Sequence, residues 1–123
     1  MSIFFQINSF KDNLGILKNP YSFLVKNEVK PEQVNGIFLY SKATKVVYSD
    51  KMNQITSFSK KENIPIYVCI NSLIRHGNKL KKNENIDDHL LENIDDHLLI
   101  VSGLGQLIEG ILKSEKTIII GSL

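Results

Sequence analysis

The sequence lacks several features that define whole classes of protein. It has one cysteine in 123 residues, Cys69, so an internal disulfide is impossible and the CxxC pair of a thioredoxin-like reductase is missing. No apolar run reaches the roughly 18–20 residues that a membrane-spanning helix needs. The 15 basic and 13 acidic residues give a net charge of +2 with no concentrated basic stripe, so we expect no direct nucleic-acid ligand.

The first ten residues, MSIFFQINSF, contain no basic segment and no small-residue cleavage site. We therefore expect no signal peptide, no membrane association and a cytoplasmic location. The length predicts a single domain over residues 1–123, which is large enough to bury one core without disulfide bonds.

Short apolar segments alternate with segments of helical periodicity along the chain. Segment 64–70 is apolar at both parities, which is typical of a strand covered by helices on both faces. Segment 41–49 is compatible with a loop or with an extended second strand. Because parallel strands need crossover connections, the alternation predicts an α/β fold, a three-layer sandwich with a central, mainly parallel five-stranded sheet. The predicted strands are 2–7, 36–40, 64–70, 97–101 and 117–120.

Two helix starts are marked by capping residues. Asn19 can cap a helix, and Pro20 at its first position gives up a donor that would be unpaired anyway; Pro31 predicts its end. Asp50 is predicted to cap a second helix, which ends in the polar run 60–63.

The octapeptide ENIDDHLL occurs twice in succession, at 84–91 and 92–99. This unit is too short for a solenoid repeat and indicates a small duplication. Its Asp-Asp-His triplets contain metal-ligand residue types, but His89 and His97 would lie about 80° apart on a helix. We expect a solvated insertion and no metal site.

Cys69 lies near the carboxyl end of the predicted strand 64–70, the sheet edge at which ligands bind in open α/β folds. Tyr40, at the end of the second strand, is expected to pack at the same edge. A reactive thiol with no resolving partner in its chain can carry sulfur as a persulfide and exchange it with another protein. The alternative is an inert packed side chain, which a lone cysteine in an apolar strand often is.

A helix is predicted to follow this strand at once. Asn71 and Ser72 are capping residue types, and Gly77 offers a C-terminal stop. The positive end of that helix, with Arg75 and His76 one turn later, would favour a thiolate over a thiol.

Two stretches of the second half, IYVCINSLIRHG and LLIVSGLGQLIEGILKSEKTIIIG, resemble the DsrE-like sulfurtransferase family, and its TusD-like members in particular. That family has a strand that ends in Cys, a short helix that ends in Arg-Arg-Gly, and a later Ser-Gly-Leu-Gly turn. His76 stands where the family has its second Arg. The matching positions are Cys69, Arg75-His76-Gly77, Ser102-Gly103-Leu104-Gly105 and residues 34–46, which resemble the second strand.

The resemblance implies a DsrE-like domain in which Cys69 is the catalytic residue, accepting sulfur as a persulfide and passing it on. It implies a hetero-oligomer with homologous TusB- and TusC-like subunits, a TusA-like sulfur donor and a TusE-like acceptor. It also implies that the sulfur becomes the 2-thio group of the wobble uridine in tRNA, with no cofactor.

Two other functions are compatible with the sequence. One is a non-catalytic assembly subunit of a DsrE-like complex, with Cys69 packed and idle. The other is a small-ligand or nucleotide-binding module that uses the turn SGLGQLIEG. Ile108 occupies the sixth place of the dinucleotide fingerprint, so we expect a structural turn into a helix over 103–114 instead. His76, at the far end of its short helix, is expected to point away from the sulfur.

Overall fold

The centre of the computed structural model is a sheet of five parallel strands. The structure describes residues 1–11, 15–47, 49–76 and 99–123. In the sheet the strands follow the order β4–β3–β2–β1–β5. The predicted fold class, an α/β sandwich with a five-stranded parallel sheet, is confirmed. The strands are β1 (Ile3–Ile7), β2 (Val34–Leu39), β3 (Ile66–Cys69), β4 (Leu99–Ser102) and β5 (Lys116–Ile120).

The described helices cover both faces of the sheet, which gives three layers. Side chains of α1 to α4 enter one core cluster, and α5 lies on the opposite face. The α-helices are α1 (Gly15–Lys18), α2 (Pro20–Lys26), α3 (Asn53–Glu62), α4 (Ile70–His76) and α5 (Leu104–Lys113), with short 3-10 helices at Pro31–Gln33, Ser41–Val46 and Asp50–Met52.

The start of α2 agrees with the prediction and its end does not. Asn19 Oδ1 accepts a hydrogen bond from the Ser22 amide at 3.1 Å, and Pro20 is the first helical residue. The helix stops at Lys26, before Pro31 is reached, because Glu28 adopts a left-handed backbone with φ of 58°. This turn lets the buried Val29 pack in the core.

The cap of the next helix lies one residue before the predicted position, Asp50. Ser49 Oγ, and not the Asp50 carboxylate, accepts the hydrogen bond from the Lys51 amide, at 3.0 Å. Asp50 opens a 3-10 turn that leads into α3. Segment 41–49, predicted as a loop or strand extension, forms a 3-10 helix over Ser41–Val46.

Every predicted strand is present among the described residues, with bounds that differ by one or two residues. Ile70, predicted to belong to the third strand, is the first residue of α4. Three predictions fall outside the described residues. They concern Gly77, residues 97 and 98 of the fourth strand, and the ENIDDHLL repeat up to residue 98, where no metal site was expected.

One face of the sheet, which we call the covered face, holds most of the core. It carries Phe5 and Ile7 of β1, Leu39 of β2 and Val68 of β3, all at most 1% exposed. Apolar side chains of α1 to α4 complete this cluster, including the ring of Phe23, whose centroid is 6.1 Å from that of Phe5.

The opposite face, which we call the α5 face, carries the alternate side chains of the same strands. Phe4, Phe38 and Cys69 are buried at its centre, with Leu107 of α5 packed against them. Gly110 allows α5 to lie close to the sheet, since a Cβ atom there would come within 2.3 Å of the Phe4 ring.

The outer surface of α5 remains apolar and exposed. None of its residues is buried, and Ile108 and Leu112 are 57% and 78% exposed. Ile119 of β5 is 60% exposed and lies on the same side of the sheet. It pairs with Gln6, which is two residues after Phe4 in β1 and therefore projects from the same face as Phe4. This is an apolar surface that the described residues leave uncovered.

No helix within the described ranges is long and apolar enough to cross a bilayer. The same ranges contain no group of three or more His, Cys, Asp or Glu side chains placed to hold a metal ion.

Candidate functional site

Cys69 is the last residue of β3, and α4 begins at the next residue, Ile70. The predicted position at the carboxyl end of a parallel strand is therefore confirmed. Asn71 and Ser72 lie in the first turn of α4 and not ahead of it, because the helix follows the strand without an intervening cap.

The neighbouring strands β3 and β4 lead to helices on opposite faces of the sheet. After β3, α4 places Leu73 in the core of the covered face; after β4, α5 places Leu107 on the α5 face. In open α/β sheets a crevice forms outside the carboxyl ends of two such strands, and ligands bind there. Cys69 and Ser102 are the paired residues at these two strand ends.

The side chain of Cys69 is 1% exposed. It packs with Phe4 and Phe38, and the partly buried Tyr40 and Tyr67 lie against the same cluster. The expectation that Tyr40 packs at this edge is confirmed. In the part of the chain that the structure describes, Cys69 Sγ forms no hydrogen bond, so the first-turn amides of α4 do not bind the sulfur in this state.

A cavity of about 380 Å³ lies against Cys69. Two of its lining residues, Leu104 and Leu123, are 44% and 71% exposed, which places the cavity at the protein surface. A buried thiol therefore borders space that a reactant can enter. The lining residues are Tyr40, Ser41, Cys69, Asn71, Ser72, Arg75, His76, Leu104 and Leu123.

The charges in this cavity come from the end of α4. Arg75 and His76 both line it, and no acidic side chain is among its described lining residues. His76, which was expected to point away from the sulfur, lines the same cavity as Cys69, because the short α4 brings its last turn there. A cationic lining favours an anionic reactant such as a thiolate or a persulfide.

A hydrogen-bonded brace fixes one wall of the cavity. The Ser41 amide donates to Ser72 Oγ at 2.8 Å, and the Thr44 hydroxyl lies 3.2 Å from the Ser72 carbonyl oxygen. Ser41 also has a left-handed backbone with φ of 53°, a strained conformation for a residue with a side chain. Sequence reasoning missed this brace, because no local motif links residues about 30 positions apart.

Ser102 adds an unusual feature beside the thiol. Among the buried side-chain polar atoms of the described residues, Ser102 Oγ is the one with no hydrogen-bond partner. The resemblance marked this position as part of a turn, but its lack of a partner can be found only from the packing.

The predicted turn from the fourth strand into a helix is present after β4. Gly103 is the N-cap residue of α5 with φ of −95°, and a Cβ atom at Gly103 or Gly105 would meet nothing within 4 Å. The turn passes the chain from β4 into α5.

A second cavity, of about 590 Å³, lies at the same edge of the sheet. Ser9 and Phe10 after β1 and Ser122 after β5 contribute to its lining, together with four lysines. Its described lining contains no thiol. The lysines are Lys11, Lys42, Lys45 and Lys51.

No family model matches this sequence, and no curated protein is similar to it in sequence. The fold is similar to the crystal structure of the ychN protein from E. coli, with a TM-score of 0.63 over 98% of this chain and 99% of that chain. The two sequences are 14% identical over this superposition, so the similarity concerns the fold. The chain has the DsrE-like α/β fold.

Proposed function

We propose that this protein is a sulfur carrier that accepts sulfur on Cys69 as a persulfide and transfers it to a partner protein. The observation that carries the proposal is the position of the chain's single thiol. It ends β3, pairs with Ser102 at the end of β4, and lines a surface cavity together with the cationic Arg75. The DsrE-like fold and the resemblance to TusD-like sequences support the same chemistry.

The transfer needs no cofactor and no external oxidant. The Cys69 thiolate attacks the terminal sulfur of a donor persulfide; the donor S–S bond breaks as a new S–S bond forms on Cys69, and the donor leaves as a thiolate. An acceptor thiolate then attacks the terminal sulfur held by Cys69 and regenerates the Cys69 thiolate. Electrons balance in each exchange, so one cysteine suffices.

The burial of Cys69 determines how the partners must approach. Since the thiol is 1% exposed, a donor reaches it by inserting its own cysteine into the 380 Å³ cavity. The Arg75 guanidinium in the lining would stabilise the departing thiolate. A donor that presents its persulfide on a projecting segment suits this cavity.

The wider pathway belongs to the same proposal. By the resemblance, the donor is TusA-like, the acceptor is TusE-like and the sulfur ends as the 2-thio group of a wobble uridine in tRNA. The exposed apolar surface of α5, with Ile108 and Leu112, is where we place the homologous TusB- or TusC-like subunits. Apolar side chains with these exposures are typical of an interface core.

The test is the mass of the protein after incubation with glutathione persulfide and removal of the reagent. We expect one added sulfur atom on the native protein and none on the Cys69→Ser variant. Ser22→Ala, which changes an exposed serine on α2, should gain sulfur as the native protein does. An unmodified native protein, or equal modification of the Cys69→Ser variant, would contradict the proposal.

A non-catalytic assembly subunit is the second candidate. The 1% exposure of Cys69 and the uncovered apolar surface of α5 favour it. In that case the thiol should be alkylated by iodoacetamide only at the rate of global or local opening, and urea should increase the rate sharply. A carrier should be alkylated in its folded state, with a rate independent of subdenaturing urea.

A further inference from the structure

The hydroxyl of Ser102 is buried without a partner, which is uncommon in native proteins. Its oxygen has almost no contact with solvent and forms no hydrogen bond with any described residue. Most buried side-chain polar atoms are hydrogen-bonded, and an exception needs a physical explanation. One explanation is an acceptor that is missing in the reduced, unloaded protein.

The neighbour of this hydroxyl across the sheet is Cys69. The two residues are paired Cα partners of β4 and β3, and the Cα atoms of neighbouring strands lie about 4.8 Å apart. Side chains paired in this way project from the same face of the sheet. The unpartnered hydroxyl and the chain's single thiol are therefore neighbours at the carboxyl ends of these two strands.

We infer that Ser102 is the positioning residue for the sulfur that Cys69 carries, with its hydroxyl donating a hydrogen bond to the Cys69 persulfide. This inference rests on the proposed function above. It assigns to Ser102 a role in holding the loaded state, separate from the attack by Cys69.

Persulfide formation supplies the acceptor that the Ser102 hydroxyl lacks in the reduced protein. Persulfide formation extends the Cys69 side chain by one S–S bond, about 2.05 Å, and adds a second sulfur that is readily ionised. Both sulfurs are acceptors, and the fully buried neighbours of the thiol, Phe4 and Phe38, offer no side-chain donor. Tyr40 and Tyr67, at the partly buried edge of the cluster, carry hydroxyls, but Ser102 Oγ is the buried donor that has no partner of its own among the described residues. The Ser102 hydroxyl donates a hydrogen bond to the loaded group and keeps its proton, so no covalent bond is broken.

Replacing Ser102 by alanine should therefore change the stability of the reduced and the loaded protein in opposite directions. In the reduced protein an unpaired buried hydroxyl destabilises the fold, so alanine at position 102 is neutral or stabilising. In the loaded protein the hydrogen bond is formed, so the same alanine destabilises the persulfide. A purely structural serine would lower stability in both states when replaced.

The experiment compares native protein with Ser102→Ala and Ser102→Thr, with Ser22→Ala as an exposed-serine control. Each is loaded with glutathione persulfide, and loss of the added sulfur to excess glutathione is followed by mass spectrometry. We expect the persulfide half-life to fall about tenfold in Ser102→Ala, as for the loss of one hydrogen bond to a charged group. Ser102→Thr, which keeps the hydroxyl on a β-branched residue suited to a strand, should restore it.

Melting temperatures of the reduced and loaded forms give a second measurement. We expect Ser102→Ala to melt at or above the native temperature when reduced and below it when loaded. Equal persulfide half-lives in native and Ser102→Ala proteins would overturn the inference and leave the carrier function intact. A native protein that takes up no sulfur would contradict the proposed function itself, and the inference with it.

Discussion

The two faces of the sheet are built from the same strands, and they are covered very differently. On the covered face, alternate residues of β1 to β3 pack under side chains from four helices. On the α5 face, one described helix lies over the sheet, and none of its own residues is buried. Phe5 and its neighbour Phe4 illustrate the contrast, since each is 1% exposed but they belong to separate core clusters.

The covered face therefore accounts for most of the stability, and the α5 face carries the residues to which we assign the chemistry. Burial of apolar surface is the main favourable contribution to folding, and most of it in this protein is on the covered face. The α5 face holds the thiol, the unpartnered Ser102 hydroxyl and an exposed apolar helix. We interpret it as the functional face, and the partner subunits proposed above would cover its apolar surface.

The largest expected effect tests the contribution of the covered face. Leu39→Ala removes a side chain that is 0% exposed, and we expect a loss of about 2–5 kcal/mol in the free energy of unfolding. Leu112→Ala makes the same change on α5, where the side chain is 78% exposed, and should alter stability by no more than about 0.5 kcal/mol. Urea unfolding monitored by circular dichroism measures both, and similar losses would remove the distinction between the faces.

A smaller effect tests the close approach of α5 to the sheet. Gly110→Ala would place a Cβ within 2.3 Å of the Phe4 ring, so we expect a loss of about 1–3 kcal/mol as the helix is displaced. Gly105→Ala on the same helix meets no atom within 4 Å and should stabilise by about 0.5–1 kcal/mol through helix propensity. Thermal melts of the pair would contradict the described packing if both variants were stabilised.

The smallest effect concerns the exposed surface of α5. Ile108→Glu should weaken assembly with the proposed homologous subunits at least about tenfold, because a charge at an apolar interface must be desolvated. Ile74→Glu is the matched control, since Ile74 is 60% exposed and Ile108 57%, but Ile74 lies on α4. Sedimentation of co-expressed complexes measures assembly, and equal weakening by the two variants would place the interface elsewhere.

Local patterns were sufficient for the elements of the fold. The all-apolar segment 64–70 correctly predicted an interior strand, and the Asn19-Pro20 pair correctly predicted the start of α2. Both signals act over a few residues, so they can be recognised without tertiary context. The end of α2 was missed, because Glu28 turns the chain at a residue type with no strong preference for a left-handed backbone.

The site was predicted less completely than the fold. The sequence placed Cys69 at the end of a strand, and the resemblance marked Ser102 within a turn. It did not indicate that β3 and β4 would pair at these two residues, or that His76 and the Ser41–Ser72 brace would border one cavity. These contacts join distant segments, and a single sequence contains no local signal for them.

The sequence alone determined that this chain forms an alternating α/β fold with one thiol at the end of a strand. Apolar patterns and capping residues act between neighbours along the chain, and the single cysteine is a matter of composition. All three can therefore be recognised in the sequence without knowledge of tertiary contacts. Only the tertiary structure decided that the thiol is buried, borders a cationic cavity and stands beside an unpartnered hydroxyl. Strand order and helix placement decide those properties, and both depend on packing between residues far apart in sequence.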